Sequence, residues 1–141
     1  MKLREARLLR IFVAAAALVP ISAGLAGIVY GAAMVPGNPA GESHDLDSHF
    51  RYLSGLLLGI GIGYVSTIPR MEDQSARFQL LTCIVVAGGL GRMISWFIAG
   101  VPSSVMTAAL IMELAITPGL ACWQHRVARL HADQVMPADS L

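Results

Sequence analysis

Four long apolar runs constrain this chain more than anything else in it. A helix that crosses a bilayer needs roughly 20 predominantly apolar residues. Four stretches meet that need: 8–34, around IFVAAAALVPISAGLAGIVYGAA; 50–68, FRYLSGLLLGIGIGYVSTI; 78–99; and 103–123. The stretches between them, MVPGNPAGESHDLDSH, PRMEDQSAR and GVP, all carry proline, and two also carry glycine, so they read as breaks. Only 13% of residues are charged, where a soluble domain carries about a quarter. The expected fold is therefore all-α: a single integral membrane domain over 1–141, built as a four-transmembrane-helix bundle with a tail at 124–141.

The positive charges orient it. Lys2, Arg4, Arg7 and Arg10 precede the first run, Arg70 and Arg77 lie between the second and third, and Arg126 and Arg129 follow the fourth. Eight of the ten basic residues thus fall on one side. The positive-inside rule places both termini in the cytoplasm. Glu42, Asp45 and Asp47 fall outside, in the longest loop. A cleaved signal peptide is the rival reading of the N-terminus. Its apolar stretch would be too long for the usual hydrophobic region, and Pro20 sits in its middle, so the first span is read as retained. No basic patch carries interleaved aromatics, so nucleic acid is not an expected partner. Cys83 and Cys122 form no disulfide framework and read as small buried apolar residues near the cytoplasmic ends of helices.

Helix association in lipid depends on close contact of small residues. Gly55 and Gly59 form a G-x-x-x-G pair in the second span. Gly24, Gly27 and Gly31 stand in the first, and Gly88, Gly89 and Gly91 in the third. Pro20 is expected to kink the first span. Neither GIGIGY nor GGLGRM follows a strand, so neither is a dinucleotide-binding loop.

Two ionisable residues stand inside this apolar sequence. Arg92 follows an uncharged stretch, 78–91, and is followed by another, 93–112, which ends at Glu113. Arg92 lies about nine residues before the turn near 100–102 and Glu113 about eleven after it. At about 1.5 Å per residue both fall roughly 14–17 Å below the outer end, level with each other on antiparallel helices. Each alone costs about 2.5–3.5 kcal/mol at mid-membrane, so pairing offsets much of the penalty. The guanidinium offers a planar fork suited to a carboxylate. Ser95 and Trp96 share the face of Arg92, and Thr117 that of Glu113. On the second span Asp47, Arg51 and Ser54 form an inward stripe, with His49 and Tyr52 beside it and Asp47 placed to cap the helix. These residues suggest a polar pocket in the outer half of the bundle, between the second, third and fourth spans. Glu113 and Arg92 would form its floor, Asp47, His49 and Arg51 its rim. Glu113, Arg92, Asp47 and His49 are the expected acid–base group; Arg51, Tyr52, Ser54, Ser95, Trp96 and Thr117 would contact a ligand. HDLDSH, 44–49, matches no standard zinc spacing, and neither metal nor cofactor is expected. His125 and His131 fall in a charged tail, and Tyr30 and Trp123 read as interfacial aromatics.

The opening FRYLSGLLLGIG, the later GR with WFIAGVPSS, and the single glutamate of the fourth span resemble the DUF4345 family, small bacterial four-helix membrane proteins. The resemblance covers most of the chain, about 8–123. It implies a membrane fold and places motif residues at Phe50, Arg51 and Gly55; at Arg92, Gly100 and Pro102; and at Glu113. It implies no activity. A carboxylate in an apolar four-helix plan also looks like sterol-isomerase-type membrane proteins, at fold level only. Three functional classes follow. The first is a multi-pass bacterial inner-membrane protein that binds or acts on a lipophilic small molecule, with isomerase- or cyclase-like proton transfer. The second is an accessory or structural subunit of a membrane complex, or a homo-oligomer. The third is a transporter or channel subunit, set back by the lack of an inverted repeat.

Overall fold

The structure, a computed structural model, describes residues 2–35 and 43–135. Among these residues every regular element is helical. Helix α1 spans Lys2–Tyr30 and runs into a 3₁₀ turn, Gly31–Met34. Helix α2 spans His44–Thr67, followed by the 3₁₀ turn Ile68–Arg70. Helix α3 spans Ser75–Ala99. The fourth segment is α4, Ser104–Ile111, a π-helical turn, Met112–Ile116, and α5, Thr117–Val135. Four helical segments are long and apolar enough to cross a membrane: Arg4–Met34, His44–Arg70, Ser75–Ala99 and Ser104–Ala132.

The helices outrun the apolar stretches that announced them. Helix α1 begins among the charged residues before 8, α2 among those before 50, and α5 continues well beyond 123. Arginine, lysine, glutamine and glutamate favour helix nearly as well as leucine, so a change in polarity does not end one. The expected tail at 124–141 is therefore helical through Val135. Glu42 lies outside the described residues. Pro20 sits within α1, which stays one continuous helix around it.

The chain forms two compact units, one of residues 12–66 and one of 1–11 with 67–141. In the first, α1 and α2 are antiparallel. A Cβ on Gly24 would lie 2.7 Å from the Leu58 amide nitrogen and 2.8 Å from the Ser54 carbonyl oxygen; one on Gly27 would strike the Ser54 side chain; one on Gly61 would lie 2.6 Å from Ile21. Partner numbers fall along α2 as they rise along α1, which fixes the direction. The expected G-x-x-x-G contact is corrected here. Among the described residues, a Cβ on Gly55 or Gly59 would meet nothing within 4 Å. The close approach uses Gly24 and Gly27 of α1, against the α2 face that carries Ser54 and Leu58, and Gly61 of α2 against Ile21.

In the second unit α3 runs antiparallel to the fourth segment. Gly89 admits Leu114, whose Cδ2 would be 2.7 Å from a Cβ there. Gly100, at φ +97°, ends α3 with its N–H on the Trp96 carbonyl at 3.0 Å. Ser103 then caps α4, its hydroxyl oxygen accepting the Met106 N–H at 3.5 Å. In this unit Leu9, Met71, Phe78 and Val127 are buried, and so, fully, is Gln124. The Gln124 amide donates to the Met71 carbonyl at 2.8 Å and to the Ser75 hydroxyl at 2.9 Å, which fastens the 71–75 turn to α5. Cys83 and Cys122 are free thiols and are exposed, which corrects the expectation of burial: they lie on outer faces of apolar helices.

Candidate functional site

The π-helical turn that carries Glu113 follows from the sequence just after it. Pro118 has no N–H, and its ring collides with the carbonyl four residues earlier in a regular helix. The chain widens by one residue before it. The Thr117 N–H reaches back five residues to the Met112 carbonyl, and its hydroxyl donates to the same oxygen at 2.8 Å. Such turns are rare and concentrate at functional sites. Thr117, expected to share the Glu113 face, thus has its hydroxyl proton committed to the backbone.

Glu113 meets Arg92 across the two helices. The Arg92 Nε–H donates to Glu113 Oε1 at 3.0 Å, and Nη1 donates to Met106 Sδ at 2.9 Å. Depth counting along the sequence puts the two charges level, and the distance agrees. The fork is only half used, however. One guanidinium nitrogen reaches the carboxylate, a second is spent on sulfur, and Glu113 Oε2 is buried with no hydrogen-bond partner among the described residues. The Glu113 side chain is 17% exposed and that of Arg92 40%. Close by, Trp96 is half-buried and Ser95 exposed. Nothing in the sequence marked Met106 as a member of the group. The π turn had a signal in Pro118.

The stripe on α2 makes its contacts within its own unit. Ser43, not Asp47, caps α2, its hydroxyl oxygen accepting the Leu46 N–H at 3.2 Å. Asp47 lies one turn in. Its Oδ1 accepts the Ala32 N–H at 2.9 Å and its Oδ2 the Arg51 Nε–H at 2.7 Å. Arg51 Nη1 donates to the carbonyls of Ile28 and Val29, the latter at 3.1 Å. A helix leaves its last carbonyls unpaired and bears partial negative charge there, so a guanidinium caps it well. Gly31, at φ +60°, makes this possible. Its backbone turns left-handed, and a Cβ there would collide with both Asp47 and Arg51. Ser54 is buried, its hydroxyl donating to the Phe50 carbonyl at 2.7 Å beside Gly27. His49 and Tyr52 are exposed. Asp47, Arg51 and Ser54 therefore join α1 to α2, and no residue pattern marks helix-end carbonyls as the partners of Arg51.

A family model described as "Domain of unknown function (DUF4345)" matches residues 8–124. The chain belongs to this family. Curated proteins and solved structures give no significant match. The matched stretch of this DUF4345 protein contains both polar groups, Arg92–Glu113–Met106 and Asp47–Arg51, and the π turn between α4 and α5. Among the described residues no group of three or more His, Cys, Asp or Glu is placed to hold a metal ion.

Proposed function

We propose that this protein is a multi-pass protein of the bacterial inner membrane, both termini cytoplasmic, that binds or acts on a lipophilic small molecule at the Arg92–Glu113 pair. The observation that supports this is the half-used fork. A pair that only holds two helices together gains most by closing both arms, since a buried carboxylate oxygen without a donor costs about 1–3 kcal/mol or more. Here Glu113 Oε2 has no donor, while Arg92 spends a second nitrogen on a thioether. Intramembrane ionisable residues mark functional sites by default. In the catalytic form of this reading the Glu113 carboxylate takes a proton from one position of the ligand and returns it at another. That is an isomerisation or cyclisation without net redox change, and Arg92 positions the carboxyl and balances its charge. Ser95 and Trp96 supply the neighbouring polar and aromatic surface. Asp47 and Arg51 are already engaged with α1, so the chemistry rests on Glu113 and Arg92.

The test is a chromosomal Glu113→Gln strain compared with wild type and with a deletion strain by mass spectrometry of lipid extracts. Glutamine keeps size and one acceptor but carries no transferable proton. The expected result is a profile that matches the deletion. A profile matching wild type, while the deletion differs, refutes proton transfer by Glu113.

A further inference from the structure

The end of the 1–11/67–141 unit where α1 begins and α5 finishes is sorted by sign. Its acids turn inward. Glu72 accepts both hydrogen bonds of the Arg10 Nη2 at 2.8 and 2.9 Å and is 15% exposed. Glu5 lies 3.8 Å from Arg126, is 28% exposed, and has one oxygen wholly buried. Its bases turn outward. Arg4, Arg7, Arg70, Arg126 and Arg129 are all exposed. The links Arg10–Glu72, Glu5–Arg126 and Gln124 to the 71–75 turn draw the start of α1, that turn and α5 to one place, so these arginines share one end. Asp73 is the single exposed acid there among residues whose side chains are described.

We infer that this arginine rim binds the phosphates of anionic phospholipids in the adjoining leaflet. Counting charges by sequence position says only which side of a membrane these residues prefer. The sorting says more: Glu72 is withdrawn into an ion pair with Arg10 beneath the rim, and part-buried Glu5 reaches one rim arginine, Arg126, from below. What is left is a surface where exposed arginines outnumber the exposed acid Asp73, built from the side chain that grips phosphate with two parallel hydrogen bonds. Arg4 and Arg7 are three apart on α1, and Arg126 and Arg129 three apart on α5, so each pair presents two guanidinium groups on one helix face. The inference rests on the membrane reading above and is independent of the Arg92–Glu113 chemistry.

The full chain, purified in a nonionic detergent, is supplied with equal amounts of phosphatidylglycerol and phosphatidylcholine of the same acyl chains, and the retained lipid is measured by mass spectrometry. Phosphatidylglycerol is expected to be enriched. The preference should weaken about fivefold for each arginine removed in Arg4→Gln/Arg7→Gln and in Arg126→Gln/Arg129→Gln. Arg4 and Arg7 make no ion pair among the described residues, so the first variant leaves the fold's own contacts in place. Glu113→Gln should keep the full preference. Equal retention of the two lipids, or double variants that behave as wild type, overturns the proposal. So does loss of the preference in excess inorganic phosphate, which would make this a free-anion site. Alkaline carbonate extraction of membranes reports separately on the membrane reading. A chain that stays in the bilayer but shows no lipid preference sinks this proposal alone.

Discussion

Replacing Arg92 and Glu113 by leucine, singly and together, tests whether the two charges depend on each other. In Glu113→Leu the guanidinium loses its ionic partner and keeps only the Met106 sulfur. In Arg92→Leu the carboxylate loses its one donor, and both oxygens are then unpaired. A lone charge at mid-membrane costs about 2.5–3.5 kcal/mol on insertion scales. Breaking one side of a buried pair costs about 3–5 kcal/mol. The pair here has a single hydrogen bond and a part-exposed arginine, so each single variant should lose about 2–3 kcal/mol, toward the lower end of both ranges. The double variant removes both charges and leaves two leucines between apolar helices, which costs about 1 kcal/mol or less. It should therefore be more stable than either single variant, with a coupling energy of about 3 kcal/mol or more. The assay is unfolding of the purified protein in mixed micelles, followed by circular dichroism. The criterion is the order of the midpoints, which no calibration of the energy scale alters. A double variant that falls at the sum of its singles would show that the two side chains stabilise the fold independently, and the pairing argument would fail.

Other consequences are as direct. Gly24→Ala should destabilise by about 1–3 kcal/mol, because the new Cβ meets backbone atoms of α2 that cannot step aside, while Gly55→Ala and Gly59→Ala should be neutral or gain up to about 1 kcal/mol. Thermal unfolding of the three variants checks this, and equal losses at all three sites would contradict it. Pro118→Ala removes the reason for the π turn, so repeating the leucine cycle in that background should give a smaller coupling energy as Glu113 rotates away from Arg92. An unchanged coupling would mean that the turn does not aim the carboxylate. Burial pushes the Glu72 carboxyl up, but hydrogen bonds from its own backbone N–H and from Arg10, with the charges of Arg10 and His131, outweigh it and hold the group below the ordinary glutamate value of 4.5. A lowered folded value gives stability that is present above the unfolded value and is lost as pH falls through the folded one. Acid below about pH 4.5 should therefore weaken the wild-type protein more than Glu72→Gln, as read from unfolding midpoints between pH 3 and 7.

The four helices and the pairing of Arg92 with Glu113 were legible because both rest on counting. Apolar length announces a spanning helix, and rise per residue sets depth on either side of a short turn. What the sequence could not supply was direction around the helix axis. Gly55 and Gly59 satisfy a packing pattern as well as Gly24 and Gly27 do, and only the rotation of α1 against α2 decides which pair is used. Arg51 follows the same logic. Its spacing from Asp47 puts both on one stripe, yet whether that stripe faces a ligand or the frayed end of α1 depends on Gly31, where one left-handed residue bends the chain toward them. Pro118 lies between these cases. Its effect on the preceding turn is a local rule that can be read from sequence, but a proline can be relieved by a kink or by an extra residue, and the two aim Glu113 differently. The structure takes the extra residue, as a π turn over Met112–Ile116 that carries Glu113, and one oxygen of that carboxylate has no hydrogen-bond partner among the described residues. The backbone turn that carries Glu113 thus answers to a proline five residues away, on the same helix and with no polar group of its own to suggest it.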